Sequence, residues 1–342
     1  MSLNAQQATP SGNSTQPRHG VDVVAVTKAV GDQIRADILK TLAHDSFGVQ
    51  ELVEIFNVAQ PALSHHLKKL SEAGLVSRRR EGTSIFYQRA SARNAPLLDA
   101  IYQALDSEPA PQACHDGIQR VHLARVRQSQ NFFDNQADAL AKQTALICAP
   151  EVYVEALLDA ATAEPTLQRH RALEVGPGSG ALLKALSPHF GEVIGVDNSA
   201  GMLANTQAAV ADLANVQLVD ADVARLPHRD HFNLVAAAMV LHHMPSPLAF
   251  FRQAAKLLHE HGVLVIAELC DHDQDWVRSL CGDVWLGFEP AQLQQWAGQA
   301  GFQQTQHQFL AQRNGFRVQV SAFVLTHTHQ QETNKELNHD RL

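Results

Sequence analysis

The sequence predicts two domains in series: a small, mainly helical one ending in a strand hairpin, and an α/β one built on a doubly wound, Rossmann-like sheet of seven strands. Three observations carry this reading. The chain has 342 residues, more than one small domain needs and enough for two separate cores. Ala59 to Leu70, AQPALSHHLKKL, has the pattern of the second helix of a helix-turn-helix. Leu173 to Gly180, LEVGPGSG, sets a glycine loop between a strand and a helix, and strand and helix patterns alternate after it.

Met1 to Gly20 is rich in Ser, Gln, Asn, Pro and Gly, the composition of a solvated tail, and residues 327–342 read the same way. From Val21 the apolar residues fall on helical faces: Val24, Val26, Ala29 and Val30, then Ile34, Ile38, Leu39 and Leu42. A further helix is expected over Phe47 to Phe56, with Leu52, Ile55 and Phe56 inward. In the next one, Leu63, Leu67 and Leu70 share a buried face at about 100° per residue. His65 then points nearly opposite, flanked by Ser64 and Lys68, so Gln60, Ser64, His65 and Lys68 are the side chains offered to a major groove. His66, at the border of the apolar stripe, is expected to pack. Pro61 suits the first helical turn and Gly74 the helix end.

Leu75 to Tyr87 alternates polar and apolar residues around Glu81-Gly82, which predicts a wing of two strands. The formal net charge is −8, yet Asn57 to Arg93 holds seven basic residues against two acidic ones. A local excess of this kind is what a phosphate backbone responds to. Three consecutive arginines ordinarily form a solvated face, but beside a reading helix Arg78, Arg79 and Arg80 are expected on phosphates.

Over residues 21–106 these segments, with Lys28 to Leu39 ahead of them, resemble the ArsR family of winged helix-turn-helix repressors. The resemblance implies a double-stranded operator and a homodimer. The dimer surface it implies is the helix Ala95 to Leu105, with Leu97, Leu98, Ile101, Tyr102 and Leu105 in one stripe; packing within the subunit is the alternative. Two departures stand out. The helix that carries paired cysteines in metal-sensing members reads Val49-Gln50-Glu51-Leu52-Val53-Glu54 here, without a thiolate. Ala59 stands where a capping Ser is usual.

Residues 107–130 read as a linker helix containing Pro109, Pro111 and Gly117, and 131–326 as the second domain. Strands are expected at Ala172 to Val175, Val193 to Asp197, Val216 to Asp220, Leu234 to Val240, Val263 to Leu269, Gln304 to Leu310 and Arg317 to Leu325. Helices are centred near Leu183, Leu203, Ala254 and Leu293. Gly176, Gly178 and Ala181 also satisfy a dinucleotide fingerprint. Glu174 argues against that reading, because a carboxylate two residues before the first glycine repels a pyrophosphate and suits the cationic amino and sulfonium groups of S-adenosylmethionine. Gly176, Gly178 and Gly180 let the backbone approach that ligand. Asp197, ending the second strand, suits two ribose hydroxyls, or a turn. Asp222, next to Val223, suits an adenine amino group, or a helix cap.

Phe132 to Leu325 resembles the class I S-adenosylmethionine-dependent methyltransferase fold, and the resemblance implies that Glu174, Gly176, Gly178, Asp197 and Asp222 carry the cofactor. Asn233 stands where the family usually has Asp, and His261 where it usually has Gly. No compulsory catalytic residue can be assigned. His243 is a candidate base that otherwise packs at a strand end, and the methyl acceptor, if there is one, is unknown. Asp271, His272 and Asp273 beside His242 and His243 invite a metal, but in a chain with 19 histidines none is expected.

Cys114, Cys148, Cys270 and Cys281 are widely spaced, which fits a reducing cytoplasm and no disulfide framework. No apolar run approaches the roughly 20 residues of a membrane span. Three functions follow: a regulator that senses S-adenosylmethionine or S-adenosylhomocysteine; a methyltransferase that uses the winged helix for targeting or autoregulation; and a redox sensor built on Cys270 and Cys281.

Overall fold

A computed structural model of the chain describes residues 22–326 except 44, 82–83, 93–94, 166 and 228–231, and the side chains of 81, 131 and 134–146 are also outside the description. Val21, Gly82, Arg93 and both expected tails therefore lie outside the described residues.

The first domain runs α1 (Val23–Val30), α2 (Gln33–Thr41), β1 (Phe47–Gly48), α3 (Val49–Phe56), α4 (Gln60–Glu72), β2 (Val76–Glu81), β3 (Ser84–Arg89) and α5 (Pro96–Asp106). Asp22 and Asp32 cap α1 and α2 by accepting from Ala25 N and Arg35 N. Ala59 gives α4 no such bond, but Pro61 sits in its first turn. Leu63, Leu67 and Leu70 are fully buried as the helical period requires, which contributes about 1.5–3 kcal/mol each. The helix expected from Phe47 begins two residues late. Phe47 and Gly48 pair with Tyr87 and Phe86 of β3, so the wing becomes a three-stranded sheet of order β1-β3-β2. In α5, Leu98 and Tyr102 are buried in their own domain and Tyr102 Oη donates to Leu75 O at 3.1 Å. Two of the five residues expected at a dimer surface are thus spent inside the subunit.

The expected boundary at 130/131 falls inside one helix. Helix α6 (Gln112–Ile147) has 36 residues and a length of about 54 Å. Gly117 lets it cross α3 closely, since a Cβ there would stand 2.8 Å from Ile55 Cα.

The second domain continues with α7 (Pro150–Thr162), β4 (Arg171–Val175), α8 (Ala181–Leu186), β5 (Glu192–Asp197), α9 (Ala200–Val210), β6 (Val216–Asp220), β7 (Phe232–Ala238), α10 (Pro247–Leu257), β8 (Leu258–Leu269), α11 (Trp276–Leu280), α12 (Pro290–Gln299), β9 (Phe302–Ala311) and β10 (Arg317–Leu325). All seven expected strands are present, and α7 and α11 are additions. The sheet order is β6-β5-β4-β7-β8-β10-β9, parallel except that β10 runs antiparallel to both neighbours. Apolar clusters cover both faces, which is why β7 reads as an unbroken buried run. Chain order reverses between β4 and β7, and a sheet of this kind opens a crevice beyond the carboxyl ends of its strands at that point.

Candidate functional site

A cavity of about 900 Å³ occupies that crevice. It is lined by Glu174 near the end of β4, Gly176 and Gly178 just after it, Asp197 at the end of β5, Asp222 and Val223 after β6, and His242 and His243 after β7. Helix α6 closes it from the side with His122, Val126, Ser129 and Phe133, so the cavity lies at the junction of the two domains.

The left-handed backbone of Gly176 (φ +68°) and Gly178 (φ +48°) turns the chain out of β4. A Cβ on Gly176 would stand 2.6 Å from Val240 Cγ2, whereas one on Gly178 would meet only Gly176 O, at 4.0 Å. Space is therefore left open against the Gly178 backbone. Gly180 departs from the expectation. It is absent from the cavity lining, and its Cβ would meet Val210, Ala209 and Thr206, so its smallness lets α8 start against α9.

Glu174 is buried, and its Oε2 has no hydrogen-bond partner. Burial pushes the carboxyl well above its usual range, offset only in part by a backbone hydrogen bond from Leu183. Asp197 is raised to about 6, first by burial, although the backbone N–H groups of Ser199 and Asn198 bond to it. Its Oδ1 accepts from Ser199 N at 2.9 Å. The turn role and a place on the cavity wall are thus compatible. Asp222 likewise does both: Oδ1 accepts from Ala224 N at 2.9 Å, capping a short 3-10 turn, while the residue lines the cavity. An orphaned acid at one end, open space along the glycine turn and two acids beyond it fit an elongated ligand with a cationic end.

His243 is buried beside the ring of Phe133 at 4.9 Å, with Nδ1 lacking a hydrogen-bond partner. Burial, then the neighbouring His242, hold its pKa well below the ordinary value. His242 differs sharply. Its Nδ1 lies 2.6 Å from Glu268 Oε1, and it is raised to about 9: the carboxylates of Glu268 and Asp283 outweigh the lowering effect of burial. The partner the sequence reading missed is Asp283, which follows Gly282 in a loop and meets the histidines only in the fold. Asp271 and Asp273 are exposed. Cys270 and Cys281 are buried protonated thiols, Cys281 pushed up to about 12 by burial, which argues against the redox reading.

On the first domain, Ser64, His65 and Lys68 are exposed along α4, with Lys68 3.8 Å from Glu72. Gln60 is exposed and its Oε1 accepts from Gln50 Nε2. His66, expected to pack, is half-buried, with Nδ1 3.6 Å from Asp32. Arg78 and Arg80 are exposed on β2. Arg79 is the correction: on the opposite face of the strand, its Nη1 donates to Gln292 Oε1 at 2.6 Å and its guanidinium sits 5.4 Å and 5.3 Å from the Trp285 and Phe288 rings. Strand alternation sends every second side chain the other way, and the second domain fills that side.

Arg125, on α6, was not singled out from the sequence. It is buried, and its guanidinium donates to both oxygens of Glu51 (2.7 and 2.6 Å), to Ser46 O (2.9 Å) and to Pro245 O (2.6 Å). Pro245 lines the cavity, and Glu51 lies in the first turn of α3, where its Oε2 also accepts from Gly48 N. Arg125 further lies 3.4 Å from Asp45 Oδ2, which His122 Nε2 approaches to 2.8 Å.

Two family models match the chain: "Bacterial regulatory protein, arsR family" over residues 32–78 and "Methyltransferase domain" over residues 173–266. The chain is 36% identical over 85 residues to the biofilm growth-associated repressor of Agrobacterium fabrum, covering 25% of this chain and 73% of that one. It is 37% identical over 103 residues to the HTH-type transcriptional regulator KmtR of Mycobacterium tuberculosis (30% and 74%). The demethylmenaquinone methyltransferase of Staphylococcus saprophyticus is 36% identical over 103 residues, 29% of this chain and 44% of its own. Among solved structures, the N-methyltransferase NodS of Bradyrhizobium japonicum in complex with S-adenosyl-L-homocysteine aligns at 15% identity and a TM-score of 0.44, covering 60% of this chain and 99% of that one. No helix among the described residues is long and apolar enough to cross a membrane. The chain belongs to the arsR family of bacterial regulatory proteins, and behind its DNA-reading domain it carries a class I methyltransferase domain of Rossmann-like fold.

Proposed function

We propose that this protein is a DNA-binding transcriptional regulator whose methyltransferase domain serves as a receptor for S-adenosylmethionine or S-adenosylhomocysteine. Glu174 takes the ligand's amino group, the Gly176 to Gly178 turn its amino-acid backbone, Asp197 the ribose hydroxyls, and Asp222 with Val223 the adenine. When bound, S-adenosylmethionine supplies an electrophilic methyl group. Ser64, His65 and Gln60 of α4 read base edges, while Lys68, Arg78 and Arg80 contact phosphates of a double-stranded operator, with two copies of the chain facing two half-sites.

The observation that carries the sensor reading is Arg125. One buried guanidinium bonds both to the first helix of the reader and to a carbonyl on the cavity wall, so a ligand that shifts the Val240 to Ser246 segment shifts α3 with it. Helix α6 adds a second connection, since it lines the cavity and touches Asp45 through His122. A ligand that favours one arrangement of these groups over another changes operator affinity through that difference.

The test is calorimetry with each form of the ligand, then operator affinity at fixed salt with and without it. Binding accompanied by a change in operator affinity supports the reading; operator affinity indifferent to saturating amounts of both forms overturns it. Arg125→Lys, which cannot hold the two-pronged bond to Glu51 while reaching Pro245, is expected to bind ligand normally but to respond more weakly. A second reading, methyl transfer to an unidentified acceptor, is favoured by the neutral imidazole of His243 on the cavity wall. Radiolabelled methyl transfer to a cellular fraction would support it.

A further inference from the structure

Beyond the end of β7 the cavity wall holds a group of side chains that ligand sensing does not use and of which the methyl-transfer reading uses only His243. His242, His243 and Asp283 each offer a ligand atom, and these atoms lie within 4.8 Å of one another, all in buried residues. Asp283 Oδ1 is 3.7 Å from His243 Nδ1 and 4.0 Å from His242 Nε2, too far for a hydrogen bond to either. Consequently both oxygens of Asp283, as well as His243 Nδ1, are buried without a hydrogen-bond partner. Three orphaned atoms converging on one point need a shared partner, because each unsatisfied buried polar group carries a desolvation cost.

We propose that His242 Nε2, His243 Nδ1 and Asp283 form a binding site for a divalent first-row transition metal ion of the zinc class, with its open coordination position facing the cavity. Two imidazoles and one carboxylate are a common set for such ions, and metal–ligand distances near 2.0–2.1 Å place tetrahedral ligands about 3.3 Å apart. The observed spacing therefore closes onto an ion with shifts of under about an ångström. Glu268 supplies the supporting shell. It holds His242 through Nδ1 at 2.6 Å, which leaves Nε2 for the metal, and it also accepts from the His242 and Leu269 backbone N–H groups. Charge balances as well: a divalent cation with two neutral imidazoles neutralises the buried carboxylates of Glu268 and Asp283.

The site goes beyond ligand sensing, because none of its groups belongs to the acids and glycines assigned to the nucleoside. It gives the cavity a second occupant, through which a metal ion would bias the same wall that Arg125 reads.

The experiment uses the full chain stripped with a chelator. Cobalt(II) is titrated in while visible absorption is followed, then displaced with zinc(II), whose affinity is measured against a chromophoric chelator. The wild type is expected to take up one equivalent with the intense bands of a low-coordinate site and to melt at a higher temperature with zinc. Asp283→Asn and His243→Ala should lose that equivalent, those bands and the thermal shift, while His189→Ala, altering an exposed histidine elsewhere, keeps all three. Glu268→Gln, which retains the ligands, should weaken binding roughly 10- to 100-fold. Circular dichroism melts establish that each variant is folded, and if Asp283→Asn is not, His243→Ala and Glu268→Gln decide. A wild type that takes up no stoichiometric ion, or folded His243→Ala and Glu268→Gln variants that titrate like it, overturns the proposal and leaves the group as a buried ion cluster.

Discussion

Glu174→Gln isolates the electrostatic basis of ligand recognition, because it preserves the shape of a fully buried side chain and removes only its capacity for charge. In the free protein, burial holds the carboxyl well above its usual pKa, and Oε2 has no partner. A cationic amino group reaching it restores the charge and makes a charge-assisted hydrogen bond worth about 1.5–3 kcal/mol. Part of that is offset by the proton that must leave, at about 1.4 kcal/mol for each unit by which the folded pKa exceeds the pH. The undiminished bond would be worth roughly 10- to 150-fold, and with the proton cost taken off the variant is expected to bind both nucleoside forms more weakly by less than that, at most roughly 150-fold. Wild-type binding should release a proton, visible as a dependence of calorimetric heat on the buffer's ionisation enthalpy, and Glu174→Gln should not. Stability moves the other way. A carboxyl whose folded pKa is raised stabilises the fold below its unfolded value near 4.3 and loses that contribution as pH rises through the folded value. Glu174→Gln should accordingly flatten the decline of melting temperature with pH, leaving the declines that Asp197 adds up to about pH 6 and Asp283 up to about pH 7. Equal affinity of wild type and variant for the nucleoside, or tight binding of a nicotinamide dinucleotide by the wild type, would refute the reasoning.

Arg78→Ala should lower DNA affinity across sequences and reduce the salt slope by about one unit, as the loss of one phosphate contact requires. Arg79→Ala should leave that slope unchanged and instead loosen the two domains, read as faster proteolysis between them; matching salt effects for both would mean that the wing reorients on DNA. Changes at Ser64 or His65 should alter sequence preference more than overall affinity, which a panel of single-base operator variants measures. Gly176→Ala combines a left-handed backbone at φ +68° with a Cβ 2.6 Å from Val240 Cγ2, so a loss of about 2–3 kcal/mol in thermal or urea unfolding is expected. An unchanged midpoint would show that the turn relaxes freely.

Much of this architecture is local, and so the sequence determined it. The period of Leu63, Leu67 and Leu70 fixes which face of α4 is free, the alternation in β2 and β3 makes a hairpin, and apolar runs separated by helical patterns give all seven strands of the sheet. The spacing of Glu174, Gly176, Gly178, Asp197 and Asp222 places each at or just beyond the end of a strand, and parallel strands bring those ends to one rim. What the sequence could not supply is anything decided by how surfaces meet. Strand alternation says that Arg79 opposes Arg78 and Arg80, but only the docked second domain turns that opposite side into an aromatic pocket of Trp285 and Phe288. Gly180 obeys the glycine pattern, yet the approach of α9 claims it. Arg125 looks like one polar residue on a solvated helix until α3 and the Pro245 turn close around it. Asp283 lies in an irregular loop with no periodicity to reveal where it points. Helical and strand periods report a residue's direction relative to its own element. Contacts between elements depend on the packing of whole surfaces, and that information is distributed over the chain rather than written near the residues it brings together.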